Sequence, residues 1–487
     1  MRFPPRRGGE SEVATVRVLV SLHRWLGVAF CLPLAMWFAT GIIMHFVPFP
    51  SSLGEAERLT GMGLDLARVG HGPAEAVAAT GSRGATRVRL IERADGPVYL
   101  VTSPGGVKAV RAGDLTDGAI RSEQSALSIA ASYARGPGVD VSRAAVAGLA
   151  AYDQWTVSGE YDPHRPLYRI ALNDGSATEL YVSSTTGEVV LESTRHVRGW
   201  NYLGSVVHWI YFTGLRSHAA AWRVLLWWLS FLALIGVVAG AIIGPLRLTI
   251  EGRRFISPFH GWQAWHHWLG LICMPFIFTW MFSGWLSMDG GLLFSSGKLA
   301  PAETTALIGE GRWSALSADE IRRLSTPVQE VLWFVFDDRV HRRELQNIAH
   351  RGPQALLRPG EIDDAARHLQ RSCEPAYLVA SDDAYNRIAD FAPGTLVRVI
   401  CGSDWFDIDA TNGTVQKIDR SRRSYRWLYR DLHRFDFPLL SDHPSLRTIL
   451  IVGLCAGGLI FAFTAVAIGC RRVSLVRRGH NGGEPDG

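Results

Sequence analysis

Four stretches of the chain, 25–53, 224–245, 255–288 and 448–469, contain no Asp, Glu, Lys or Arg. A helix needs about 20 apolar residues to cross the hydrocarbon core of a bilayer, and each stretch is long enough. A buried helix of a water-soluble protein rarely sustains such a run, let alone four times. The apolar fraction of the chain, 47%, is ordinary; its placement is what predicts a polytopic membrane protein with four transmembrane helices.

The arginines flanking these stretches predict the topology. Arg2, Arg6, Arg7 and Arg17 precede the first, Arg247, Arg253 and Arg254 lie between the second and third, and Arg471, Arg472, Arg477 and Arg478 follow the fourth. Positive residues in short loops stay cytoplasmic. All three clusters agree, so both termini are expected inside and the two long segments outside. The chain then reads as a cytoplasmic tail 1–16, span one 17–47, an outer segment 48–204, an outer-side helix with span two 205–247, a cytoplasmic loop 248–258, span three 259–288, a second outer segment 289–430, an outer-side helix with span four 431–470, and a tail 471–487. The first span is not read as a cleaved leader. It is too long, and no small-x-small site follows Met44-His45-Phe46 promptly. The net charge of +5 comes mostly from these arginines and does not argue for nucleic acid. Cys31, Cys273, Cys455 and Cys470 lie in or at the end of spans, where a small apolar role is the default. Cys373 and Cys401 share one outer segment, which leaves a disulfide open in an oxidising compartment.

The two halves repeat. Span one carries His23-Arg24-Trp25-Leu26-Gly27 and then Thr40-Gly41; span three carries His266-His267-Trp268-Leu269-Gly270 and then Ser283-Gly284. His23 precedes Thr40 by 17 residues, and His266 precedes Ser283 by the same number. His208 and His218 come before span two, His433 and His443 before span four, each pair 10 apart. Span, outer segment and span thus occur twice from the same side, a parallel repeat about an axis along the membrane normal. In the outer segments, 122–134 has helical periodicity through Ala126, Leu127, Ile129, Ala130 and Tyr133. Residues 167–172 and 177–183 alternate as strands around the turn signal Asn173-Asp174-Gly175, and a turn at Thr186-Gly187 leads to 188–191. The second segment shows a helix over 362–370, strands over 396–401 and 405–408, and a hairpin turn at Asn412-Gly413. Residues 60–115 are read as strand-rich. No phosphate loop, nucleotide fingerprint or CxxC is found.

Histidines carry the chemistry. Ionisable residues at transmembrane helices are costly and so usually functional. His23 and His266 come near the cytoplasmic ends of spans one and three, and His208 and His433 stand at the outer starts of spans two and four. Two imidazoles from facing helices can hold a b-type haem inside a bundle. The repeat supplies one such pair per membrane face, His23 with His266 and His208 with His433. His45 lies 22 residues after His23, about 33 Å along a helix and only ~40° from the same face. It is therefore a further candidate, with Met288 at its repeat position. His267 and His260 compete with His266. The tryptophans of the spans are most simply interfacial anchors and packing.

These features resemble the PepSY-associated transmembrane proteins. The His-Arg/His-Trp-Leu-Gly and Thr/Ser-Gly patterns of spans one and three carry the resemblance, as do Val207-His208-Trp209 and the run from Leu432 to Pro438. The segments near 121–192 and 360–419 are similar to PepSY domains, including the ending Tyr181-Val182-x-x-x-Thr186-Gly187-Glu188-Val189. The resemblance implies a membrane α+β fold, a four-transmembrane-helix bundle of two parallel repeats with two periplasmic α+β PepSY-like domains. It also implies a bacterial inner-membrane protein of iron acquisition, holding two b haems and reducing a periplasmic ferric chelate such as a ferric siderophore with electrons from a cytoplasmic or membrane donor. Reduction weakens chelation, because hard oxygen ligands favour Fe(III). The outer arginines Arg342, Arg343, Arg420, Arg422 and Arg423 are candidates to attract an anionic chelate. Two other classes compete with this one: a non-enzymatic module whose PepSY domains bind a periplasmic partner, and a transporter. A transporter would want polar groups at mid-membrane, where the sequence offers only Thr40, Ser230, Ser283 and Thr464.

Overall fold

The computed structural model describes residues 9–134, 141–251, 254–289, 293–294, 297–317, 319–324, 327–346, 356–369, 371–383, 385 and 394–481. The chain divides into two compact units, one of 1–48, 200–294 and 424–487, the other of 49–199 and 295–423.

The first unit contains four helices long and apolar enough to cross a membrane: Ala14–Phe46, Ala219–Leu246, Trp262–Ser287 and Pro444–Arg472. These are spans one to four, and they fall on the four charge-free stretches. The first helix as a whole runs Gly9–Phe46, starting earlier than the sequence predicts. Span one packs on spans two and four, and so does span three, which places spans one and three at opposite corners of the bundle. The core holds Phe38, Ala233, Leu234, Cys273, Ile277, Met281 and Ala462. Span four comes close to span one at Gly458, where a Cβ would sit 2.6 Å from Phe38 Cε1. Outward-facing apolar side chains such as Ile272 and Ile449, 70% and 68% exposed, form a surface that water does not favour and lipid does. A short hairpin, Thr249–Glu251 with Arg254–Ile256, joins spans two and three.

The second unit is built of antiparallel sheets. A five-stranded sheet has the order Arg339–Leu345, Glu330–Phe336, Arg87–Arg93, Gly96–Ser103, Gly106–Arg111. Its central pairing sets Val88 opposite Trp333 and Leu90 opposite Val331, and these side chains share one core with Tyr99, Val101 and Val335. The two segments that the sequence treats separately, 48–204 and 289–430, are therefore joined through one sheet. The pairing satisfies the backbone N–H and C=O groups along one edge of each central strand, and the other segment provides the partner. Two four-stranded sheets follow. One consists of Ala145–Ala150, Leu167–Ala171, Glu179–Ser183 and Val189–Ser193, the other of Tyr377–Leu378, Leu396–Cys401, Asp404–Asp409 and Val415–Ile418.

Each four-stranded sheet carries one helix. Glu123–Tyr133 starts at Ser122, whose hydroxyl accepts from Ser125 N, a cap that satisfies one of the free N–H groups of the first turn. Its Ala126, Ile129 and Ala130 pack on Tyr168, Ile170, Leu180 and Val182. Pro359–Arg367 buries Ile362, Ala365 and Ala366 against Val397, Val399, Phe406 and Ile408. It begins three residues before the predicted start, because Pro359 is preset for a first helical turn and Glu361 accepts from Arg358 N at 2.8 Å. Cys373 and Cys401 form a disulfide between the loop after this helix and the end of a strand.

The Thr186-Gly187-Glu188 turn fastens the first of these sheets to the five-stranded one. Gly187 has φ 70°, and Arg93 fills the space a Cβ would need. Glu188 accepts from Arg89 Nη1 at 2.7 Å, and Arg89 also holds both oxygens of Glu330 at 2.7 and 2.8 Å. The second sheet is fastened in a matching way. Gly413, φ 68°, sits against Phe334, and Arg87 donates to Asn412 O and Thr414 Oγ1. Burial pushes the Glu188 and Glu330 carboxyls up, but the charges of Arg89 and Arg58, with His164 beside Glu188, together more than reverse this, so both lie below the ordinary carboxylate value. Replacing Arg89 by Met should destabilise this unit by about 3–5 kcal/mol, because two buried carboxylates lose their nearest cation and only the more distant Arg58 remains beside Glu330. Folded carboxyls with lowered pKa contribute stability above their unfolded value and lose it as pH falls through the folded one. The gap between wild type and Arg89→Met should therefore be widest near neutral pH and narrow in acid. Thermal unfolding of the full chain against pH measures this, and a gap that widens in acid would contradict it.

Candidate functional site

The histidines gather at two levels of the spanning unit. Near the N-terminal ends of spans one and three, His23 and His266 reach across the bundle from opposite corners, and their ring centroids are 6.1 Å apart. His23 Nδ1 donates to Gly236 O on span two at 2.9 Å. The approach depends on Gly240, where a Cβ would stand 2.6 Å from His23 Cε1. His266 Nδ1 lies 3.1 Å from Thr464 Oγ1 on span four, and its ring stacks on Phe461 with centroids 4.7 Å apart.

Near the other ends of the same spans the chain arranges His208 and His433 alike. Each follows one turn of π-helix, Tyr202–Val206 in the first half and Arg426–Asp431 in the second. Such turns are rare and concentrate at functional sites. Each histidine is followed two residues later by a left-handed residue, Ile210 with φ 49° and Phe435 with φ 54°. A β-branched or bulky side chain is strained there, so the surrounding structure holds both chain reversals in place. His208 Nδ1 lies 2.9 Å from Thr40 Oγ1 on span one, and His433 Nδ1 lies 3.1 Å from Ser283 Oγ on span three. The glycine that follows Ser283 leaves room for the ring, since a Cβ on Gly284 would come within 3.3 Å of His433 Cε1, whereas one on Gly41 would make only an ordinary contact with His208 Cε1 at 3.9 Å. Trp37 Nε1 donates to His208 O at 3.0 Å, and Tyr429 stacks on His433 at 5.5 Å.

The remaining candidates are placed differently. His267 uses both ring nitrogens, Nε2 on Gly244 O at 2.9 Å and Nδ1 on Ser257 Oγ at 2.8 Å. His45 sits with Nε2 2.9 Å from Thr448 Oγ1 on span four, and Met288 caps span three. Among the arginines considered for a chelate, Arg342 pairs with Glu320 and Glu344, and Arg343 with Glu55. Arg423 donates to Ser403 O and Ile418 O. Among the described residues no group of three or more His, Cys, Asp or Glu is placed to hold a metal ion; an iron carried by a porphyrin asks only two ligands of the protein.

Residues 20–315, more than half of the chain, match the family described as the PepSY-associated TM region. The chain belongs to that family. The match takes in spans one to three with His23, His208 and His266, and ends before the segment that carries His433. A comparison with curated proteins finds no match. Sequence reasoning picked out Thr40-Gly41 and Ser283-Gly284 by their spacing but not their service to His208 and His433. It noted Thr464 as a polar group of span four but not its contact with His266, and it missed Gly240, whose only signal is a small residue on the helix opposite His23.

Proposed function

We propose that this PepSY-associated transmembrane protein is an inner-membrane dihaem electron-transfer protein that reduces a periplasmic ferric chelate, such as a ferric siderophore, in iron acquisition. His23 and His266 would hold one b haem and His208 and His433 the other. When bound, these haems supply one-electron redox chemistry. The observation that carries this reading is the 6.1 Å between the His23 and His266 ring centroids. Two imidazoles on one metal, each about 2 Å from it through a ring nitrogen, have ring centres about 6 Å apart. On all four histidines Nδ1 is the nitrogen with a hydrogen-bond partner, Gly236 O for His23 and a hydroxyl for the other three, which leaves Nε2 for a ligand.

The same reading treats the two halves as parallel repeats. Helix 123–133 with its sheet and helix 359–367 with its sheet are then PepSY-like domains on the periplasmic side. Basic residues at both termini and between spans two and three support a cytoplasmic location for those ends. The Cys373–Cys401 disulfide suits an oxidising compartment for the sheets. The electron donor would meet the His23/His266 end, and the sheets would set affinity for the chelate. The test is one absorbance spectrum of purified protein, oxidised and dithionite-reduced. Two low-spin b haems per chain are expected. Protein expressed with ample haem and lacking a Soret band would overturn the reading and favour a module that binds a periplasmic partner.

A further inference from the structure

We infer that the hydroxyls of Thr40, Ser283 and Thr464 are positioning groups that hold His208, His433 and His266 with the proton on Nδ1 and the lone pair on Nε2. The tautomer follows from hydrogen-bond geometry; its consequence for redox potential rests on the haem-binding reading above.

A hydroxyl has one proton to give. Thr40 Oγ1 lies 2.7 Å from Met36 O, Ser283 Oγ 2.7 Å from Thr279 O and Thr464 Oγ1 2.6 Å from Phe461 O. A carbonyl oxygen only accepts, so each hydroxyl proton is committed to its own helix. The same oxygens stand 2.9, 3.1 and 3.1 Å from Nδ1 of His208, His433 and His266. There they can act only as acceptors, and the imidazole must donate. His23 reaches the same state directly, because Gly236 O accepts from its Nδ1.

A neutral imidazole carries a single N–H. With Nδ1 protonated, Nε2 presents a lone pair, the form a metal takes, and the partner of the other nitrogen fixes ring orientation. His267 supplies the contrast. Its Nε2 faces Gly244 O and must be protonated, while Nδ1 accepts from Ser257. Adjacent histidines on span three are thus held in opposite tautomers, and only His266 has Nε2 available. This also gives the Thr/Ser of the Thr/Ser-Gly pattern a physical meaning: the hydroxyl accepts from the Nδ1 proton, and in the second half Gly284 admits the His433 ring.

An acceptor on Nδ1 makes the imidazole a stronger donor through Nε2 and favours the oxidised metal. Its removal should raise the midpoint potential. The test uses full-length protein with 15N-labelled histidine. Wild type should show Nδ1-protonated signals for His23, His208, His266 and His433 and an Nε2-protonated signal for His267. Thr40→Val and Ser283→Ala should each shift the midpoint of the outer haem upward while both haems stay bound, and Thr40→Ser should restore the wild-type value. An Nε2-protonated His208 or His433 in wild type would overturn the tautomer assignment whether or not a variant folds. Haem-loaded Thr40→Val with a wild-type midpoint would overturn the positioning role. Protein that binds no haem yet shows Nδ1 protonation would uphold the tautomers and overturn the haem reading instead.

Discussion

His23→Ala and His266→Ala should each remove the same haem and leave the other in place. The two residues come from opposite corners of the bundle and are 243 positions apart in the chain, yet their rings are 6.1 Å apart. Ligands to one iron have to fail together. Each variant should bind half the wild-type haem, with the remaining spectrum still low-spin and still reducible by dithionite. Folding is not expected to fail with it, since the apolar core through Phe38, Ile277 and Met281 is untouched. Gly240→Ala should act in the same direction without touching a ligand, because the added methyl meets the His23 ring at 2.6 Å. Pyridine haemochrome content with spectra of the two single variants is the measurement. If His23→Ala and His266→Ala removed different haems, the pairing would be wrong, and His45 or His267 would have to be weighed again.

Much of this arrangement was legible in the sequence because it rests on local or periodic signals. A charge-free run of span length has few alternatives to a membrane helix, and all four runs became spans. Matching 17-residue intervals on spans one and three put His23 level with His266 and Thr40 level with Ser283. The Asn412-Gly413 turn was readable because Gly413 adopts a backbone that glycine favours. Strand pairing across the chain was not readable. Nothing in Arg87–Arg93 or Glu330–Phe336 names the other as its neighbour, and alternation fixes which face is buried but not which strand lies beside it. The choice between His266 and His267 was also closed to sequence. One residue is 100° of helix, and which ring meets His23 is decided by Gly244 and Ser257, which capture His267. The π-turns and the strained Ile210 and Phe435 left no trace, since tertiary contacts rather than propensity hold them.

His433→Ala should abolish reduction of an external ferric chelate while the His23/His266 side continues to accept electrons. The two pairs are separated along span one by the interval from His23 to Thr40, 17 residues, or about 25 Å of helix. On the proposed reading a donor at one end cannot touch a chelate at the other, and both pairs would be needed in series. His433 holds only one side of its site, but its loss exposes more than a missing ligand. The Tyr429 stack and the Ser283 contact go with it, and the Phe435 reversal loses the ring it follows. Half the haem should be absent, chelate reduction should fall to background, and the remaining haem should still be reduced by the physiological donor. His23→Ala should give the converse, an outer haem open to dithionite but closed to that donor. Membrane vesicles supplied with electron donor and an external ferric chelate, with haem content measured in parallel, separate these outcomes. Wild-type chelate reduction by His433→Ala vesicles with the outer haem verified absent would break the serial scheme, because electrons would then be crossing without the pair that the π-turns and the Thr40 and Ser283 hydroxyls hold in place.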